Sequence, residues 1–253
     1  MNIASRIYDY RQTNSLAASL RNKRLNWFRS LLETVPTPIN ILDVGGRASF
    51  WNNLGLLDSE IVGWEITLLN QSEQETLLWD GDSSNPSQSK FKFKSCLGDA
   101  RDMSQFANQQ FDIVFSNSVI EHVGDYQDKQ RMAQEVQRVG KRYFIQTPNF
   151  HFPIEPHFVF PAFHWLPIPA RVWLITHFSL GWFNKYDDPQ CAEADIRGIQ
   201  LLRKDEFLNL FPDAQLFEEK LLGLTKSFIA FGGWECPDQT SSSLEKTQLV
   251  SRV

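Results

Sequence analysis

Cysteine is scarce in this chain, with only Cys96, Cys191 and Cys236 among 253 residues. Their odd number and wide spacing propose neither a disulfide framework nor a Cys-x-x-Cys metal site, so a reducing cytoplasm is the expected setting. The opening residues Met1 to Arg6 lack the basic segment, apolar core and small-residue cleavage site of a secretory leader, and none is expected. Positive charge is not in excess either: the formal net charge is −5, which gives no electrostatic footprint for phosphate backbones, and nucleic acid is not an expected partner. The apolar stretch from Trp165 to Phe183 is interrupted by Pro167, Pro169, Arg171 and His177, which argues against a membrane-spanning helix. Neither a Gly-x-Gly-x-x-Gly dinucleotide fingerprint nor a Walker-type Gly-Lys-Ser/Thr pattern occurs.

What is present is an ordered series of short apolar runs that end in small or polar residues. Ile41-Leu42-Asp43-Val44 leads into Gly45-Gly46; Gly98-Asp99-Ala100 follows a second apolar run; Phe111 to Ser116 leads into Asn117-Ser118. Strands are predicted at Ile39 to Val44, Trp64 to Leu69, Lys90 to Cys96, Phe111 to Ser116 and Arg142 to Gln146. Such β-α alternation in a chain with 42% hydrophobic residues predicts one α/β domain around a doubly wound parallel sheet. A helix before the fifth strand has Met132, Val136 and Val139 on one face, Asp125 as its cap and Gly140 as its stop. A helix over Leu201 to Phe211 is followed by strands Gln215 to Leu222 and Ser227 to Phe231, a hairpin that closes the sheet.

The predicted organisation is an N-terminal helical cap over 1–36, a cofactor-binding core over 37–149, an aromatic-rich lid or acceptor insertion over 150–195, completion of the sheet over 196–234 and a disordered tail over 235–253. The cap has Leu16, Leu20, Trp27, Phe28, Leu31 and Leu32 at helical spacing among basic residues. Asp112, at the start of the fourth strand, reads as a structural hydrogen-bonding group.

Glycines at the turn after a first strand let the backbone approach a ligand closely, which makes Gly45 and Gly46 candidates for the floor of a pocket. Asp43 before them suits a ligand with a cationic amino group; capping of the following turn is its structural alternative. Taken in order, these motifs resemble the Rossmann-like (class I) S-adenosylmethionine-dependent methyltransferases, in particular the bacterial small-molecule group with Glu-His after the fourth strand, here Glu121-His122. The resemblance runs from about Ile39 to Asn149. It implies a seven-stranded, mostly parallel sheet and S-adenosylmethionine as cofactor, with Asp43, Gly45 and Gly46 at its methionine part. By the same resemblance Asn70 lies at the ribose, Asp99 with Ala100 at the adenine, and Asn117 with Ser118 in the fourth motif. Two departures stand out: Arg47 and Ser49 replace the later spaced glycines, and Asn70 replaces the usual acidic residue, keeping hydrogen-bonding capacity without the charge, with Glu65 earlier in the strand and Glu73 just after it as the alternative acids.

Methyl transfer is an in-line displacement that needs alignment more than a dedicated base. For a hydroxyl acceptor, His122 and His157 are the candidate proton acceptors, with Glu155 orienting His157 or holding the substrate. No metal is expected, because the prolines around His151, Glu155 and His157 prevent a regular helical ligand face. The expected function is methyl transfer to a small molecule, O-methylation favoured, with the aromatic residues of the insertion lining an apolar or aromatic acceptor or touching a membrane surface. Two alternatives stand beside it: a catalytically silent cofactor-binding scaffold, suggested by the altered motifs, and a membrane-peripheral interaction module using the insertion. Oligomeric state is not legible.

Overall fold

Alternation of side chains along a strand sends successive residues to opposite faces, and a sheet whose strands are apolar at nearly every position must be covered on both. The first strand shows this directly, since Ile41 enters one hydrophobic cluster and Leu42 and Val44 the other. The computed structural model describes residues 16–52, 63–72 and 92–234. In chain order it gives α1 (Leu16–Leu32), β1 (Asn40–Val44), α2 (Ala48–Asn52), β2 (Glu65–Asn70), β3 (Lys92–Leu97) and β4 (Ile113–Asn117). Then follow α3 (Tyr126–Val139), β5 (Tyr143–Pro148), β6 (Ile154–Glu155), β7 (Phe160–Pro161), α4 (Ile168–His177), α5 (Pro189–Gly198), α6 (Lys204–Leu210), β8 (Gln215–Leu221) and β9 (Leu224–Gly232).

The main sheet has seven strands in the order β3-β2-β1-β4-β5-β9-β8. β1 to β5 pair in parallel, and β9 and β8 close the edge antiparallel. One face packs α3 and α6 through Met132, Val136, Val139, Phe207 and Leu210; the other packs α1 and α2 through Phe28, Leu32 and Trp51. Phe28 touches both Phe115 and Phe144 with ring centroids 4.8 and 4.7 Å apart, which seats α1 on the middle of the sheet. α3 begins as predicted: the Asp125 side chain accepts from Asp128 N while Asp128 accepts from Asp125 N, a reciprocal cap, and Gly140 ends the helix. Asp112 has its expected structural role, accepting from Asn40 N and from Lys141 Nζ and so tying the start of β4 to β1 and β5.

The hairpin is longer than predicted, because Leu222 and Gly223 alone make the turn, both with positive φ (52° and 82°), and β9 therefore starts at Leu224. Residues after β5 form a unit of their own, in which Phe158, Phe163, Ile175, Ala192 and Ile196 are buried together and Phe158 stacks on Phe163 at 4.2 Å. The chain rejoins the sheet side through the Asn149–Leu202 bridge and the Gln200 N–H to Glu121 carbonyl bond. Among the described residues no helix is long and apolar enough to cross a membrane. The predicted tail and Glu73 lie outside the described residues, as do the start of the N-terminal cap and the first residues expected in β3.

Candidate active site

Strand order reverses between β1 and β4, since β2 and β3 extend the sheet on one side of β1 and β4 and β5 on the other. Helices diverge at such a point, leaving a crevice beyond the carboxyl ends of the strands where ligands bind. Register brings these ends level: Val44 lies beside Leu69 on β2 and beside Ser116 on β4. Gly45, Gly46, Asn70, Asn117 and Ser118 consequently border one crevice.

Gly45 has φ +69° and donates its N–H to the Leu69 carbonyl at 2.8 Å; a Cβ there would meet Val119 Cγ2 at 2.5 Å. Gly46 faces inward, and a Cβ on it would overlap the Asp43 carboxylate. The turn thus needs glycine at both positions for reasons internal to the protein, and the backbone it exposes is bare of side chains. Asp43 is 2% exposed and accepts the indole N–H of Trp51 at 2.7 Å. Burial, partly opposed by this hydrogen bond, pushes its carboxyl up to about 8. Its carboxylate supports the glycine turn from beneath rather than lying open in the crevice. Asn70, 7% exposed, donates Nδ2 to the Gly46 carbonyl at 3.2 Å and fastens the end of β2 to the same turn.

Asp99 and Ala100 follow β3. Arg101 grips the Asp99 carboxylate through Nη2 at 2.6 Å and through Nε, which together with the Arg101 backbone N–H lowers the acid below its ordinary range. Arg101 also reaches Asp128 at 3.3 Å. Ala100 is buried. At the end of β4 the Asn117 Oδ1 is buried without a hydrogen-bond partner, and Ser118, with φ +57°, donates its hydroxyl to Gln146 Oε1 at 2.8 Å. A buried acceptor without a donor is costly unless a ligand or water supplies one, so Asn117 offers a bound molecule a ready contact. The glycine cradle and this orphaned oxygen fit the requirements of a nucleoside-type cofactor.

Next to the crevice, one turn of 3-10 helix (Ile120–His122) presents His122, and the turn between β6 and β7 presents His157. The two Nε2 atoms face each other at 3.1 Å. Glu155 is 1% exposed and holds His157 from behind: Oε1 meets Nδ1 at 2.6 Å, while Oε2 accepts the backbone N–H groups of His157 and Phe158. Burial alone would depress His157, but the Glu155 carboxylate, by hydrogen bond and charge, and Glu121 raise it above the ordinary histidine value. Loss of water, with the facing His157 second, lowers His122 to about 4. Glu121 is completely buried, with Thr147 Oγ1 donating to Oε2 at 3.1 Å; burial pushes it up to about 7, against a smaller opposing pull from His157.

The structure therefore brings the three candidate catalytic residues His157, His122 and Glu155 into one cluster. His151 lies apart from it, its backbone N–H bound to Asn149 Oδ1. Sequence reasoning did not single out Trp51, Val119, Arg101 or Gln146, which position Asp43, Gly45, Asp99 and Ser118 respectively. Only Arg101, two residues from Asp99, carried a local signal.

Residues 45–143 match the family described as Methyltransferase domain. Two uncharacterized proteins from strains of Mycobacterium tuberculosis are each 36% identical over 66 residues, a match that covers 26% of this chain and 22% of theirs. The matched stretch thus spans about a fifth of the length of those curated relatives. Among solved structures, the CurJ carbon methyltransferase superposes with a TM-score of 0.52 at 8% identity, covering 85% of this chain and 54% of that one. The N-terminal domain of EvdMO1, crystallised in the presence of SAH and D-fucose, gives 0.50 at 13% identity over 83% of this chain and 81% of that one. At such identities the shared property is the fold, and it agrees with the seven-stranded topology and the glycine crevice. The match to the methyltransferase domain family thus lies over residues 45–143, and the chain shares the Rossmann-like class I fold of the solved structures it superposes on.

Proposed function

We propose that this protein methylates an oxygen nucleophile of a small molecule, with the acceptor received at the His122–His157 edge of the crevice. The observation that carries this reading is the Glu155–His157–His122 array beside the end of β4: a buried carboxylate fixes one ring nitrogen of His157 and leaves Nε2 facing that of His122. S-adenosylmethionine, when bound, supplies an electrophilic methyl group. Gly45 and Gly46 would present bare backbone to its methionine part, Asn70 its free amide oxygen to the ribose, Asp99 with Ala100 a surface for the adenine, and Asn117 with Ser118 polar contacts at the mouth. Asp43 contributes by holding the turn in shape. The cluster receives the acceptor oxygen and favours loss of its proton, with Glu155 and His157 acting as one unit.

The insertion supports an acceptor with apolar or aromatic character. Trp165, Trp173, Phe178 and Trp182 are all more than a third exposed, although the same segment buries a core of its own. Contact with a membrane surface is the extension of this reading, and co-sedimentation with anionic liposomes that is lost on replacing Trp173 and Phe178 by serine would support it. A cytoplasmic setting suits the free Cys96 and Cys191. The test of the main reading is a screen of hydroxylated acceptors with wild type and His157→Ala. Turnover should fall at least tenfold in the variant while affinity for S-adenosylmethionine stays level, whereas equal turnover removes the cluster from the reaction.

A further inference from the structure

Glu121, His122 and His157 each offer a ligand atom, and these atoms lie within 4.8 Å of one another. Two nitrogens bound to one first-row cation at about 2.0–2.1 Å sit roughly 2.8–3.4 Å apart, the octahedral angle giving the short end of that interval and the tetrahedral angle the long end. The facing Nε2 atoms of His122 and His157 are 3.1 Å apart, inside that interval. Two further observations point to a ligand. Glu121 is completely buried, yet its Oε1 has no hydrogen-bond partner, while Oε2 is occupied by Thr147. His157 has the support usual for a metal-binding histidine, since a carboxylate on its other nitrogen fixes the proton at Nδ1 and directs the Nε2 lone pair outward.

We propose that Glu121, His122 and His157 form a binding site for one divalent first-row transition-metal ion, with Glu155 as the positioning residue of His157. Two imidazoles and one carboxylate suit a cation of borderline softness better than magnesium or calcium, which favour oxygen-only sets. Three protein ligands leave a further position open, and His122 is exposed, so water or an acceptor oxygen can reach the ion. This departs from the expectation of no metal, which weighed His151, Glu155 and His157. The chain instead recruits Glu121 and His122 from the turn after β4 and meets them with His157 from the insertion. That the open position takes the acceptor's oxygen rests on the proposed function; the site itself does not.

Titration of chelator-stripped full-length protein with cobalt(II), followed by its visible absorption bands and by calorimetry, tests the site. One ion per chain should bind, displaced by zinc(II). His122→Asn, an exposed change, and Glu121→Gln, which keeps the shape of the buried side chain, should each weaken cobalt(II) at least tenfold. Glu155→Gln should weaken it by about 10–100-fold through His157. Circular dichroism and thermal melts verify that each variant is folded. Absence of saturable binding to wild type, or equal binding in His122→Asn and Glu121→Gln, overturns the proposal. Binding of S-adenosylmethionine is measured in parallel: cobalt(II) binding without cofactor binding would sink the proposed methyl transfer and leave the metal site standing.

Discussion

The side-chain amide of Asn70 donates to the carbonyl of Gly46 at 3.2 Å, so the end of the second strand is tied to the turn after the first. A residue aligned with the ribose also sets the path of the loop that would carry the methionine part. Asn70→Ala removes that tie at a buried position and should cost about 0.5–1.5 kcal/mol of stability. It should also weaken S-adenosylmethionine and S-adenosylhomocysteine together, because both share the ribose. Denaturant melts and calorimetry check the two effects, and full stability with unchanged affinity would remove Asn70 from both roles.

Two adjacent glycines are required for different reasons, and a second-site change separates them. At Gly45 an added methyl meets the flexible tip of Val119 as well as a positive φ; at Gly46 it meets the Asp43 carboxylate, held in place by Trp51. Overpacking of this kind costs about 1–3 kcal/mol. Val119→Ala should recover part of the stability lost in Gly45→Ala and none of that lost in Gly46→Ala, as read from urea midpoints. Equal rescue of both would contradict the packing described.

Asp43 makes stability depend on pH in a definite direction. Its carboxyl titrates at about 8 in the folded protein against 3.8 as an ordinary acid, because burial penalises the charge. Between those values the folded chain keeps a proton that the unfolded chain releases, so this contribution is complete below about pH 4 and is lost as pH rises through about 8. Asp43→Asn keeps an oxygen for the Trp51 indole and has no proton to lose. Its melting temperature should fall less than that of wild type between about pH 5 and pH 8; parallel curves would show that Asp43 is charged throughout.

Arg101 occupies the Asp99 carboxylate with three of its nitrogens and also reaches Asp128. If Asp99 serves the adenine, Asp99→Ala should weaken S-adenosylmethionine and S-adenosylhomocysteine by the same factor, at least threefold, with little change in melting temperature because the pair is part-exposed. Equal affinity in the folded variant would place the adenine elsewhere.

Much of the architecture was legible because β1, β2, β4 and β5 are nearly continuous apolar runs, and burial on both faces leaves little freedom in where they lie. The start of β9 was read three residues late, since Leu222-Gly223 completes the turn in two residues and Leu224 and Thr225 already pair with Leu221 and Lys220. Site residues were legible as types and not as relationships. Asp43 stands where a ligand-facing carboxylate belongs, and only the position of Trp51 shows it turned inward. His122 and His157 were each singled out, but their approach depends on the fold of the insertion, and the burial of Glu121 depends on Thr147 and the end of β5. No periodicity records such contacts between distant segments.

The central claim is a pocket for S-adenosylmethionine at the switch point between β1 and β4. Calorimetric titration of the folded protein with S-adenosylmethionine and S-adenosylhomocysteine, with NAD as control, tests it most directly. Saturable binding of both adenosyl compounds at one site per chain, with none for NAD, is the predicted result; a folded sample that binds neither would contradict it.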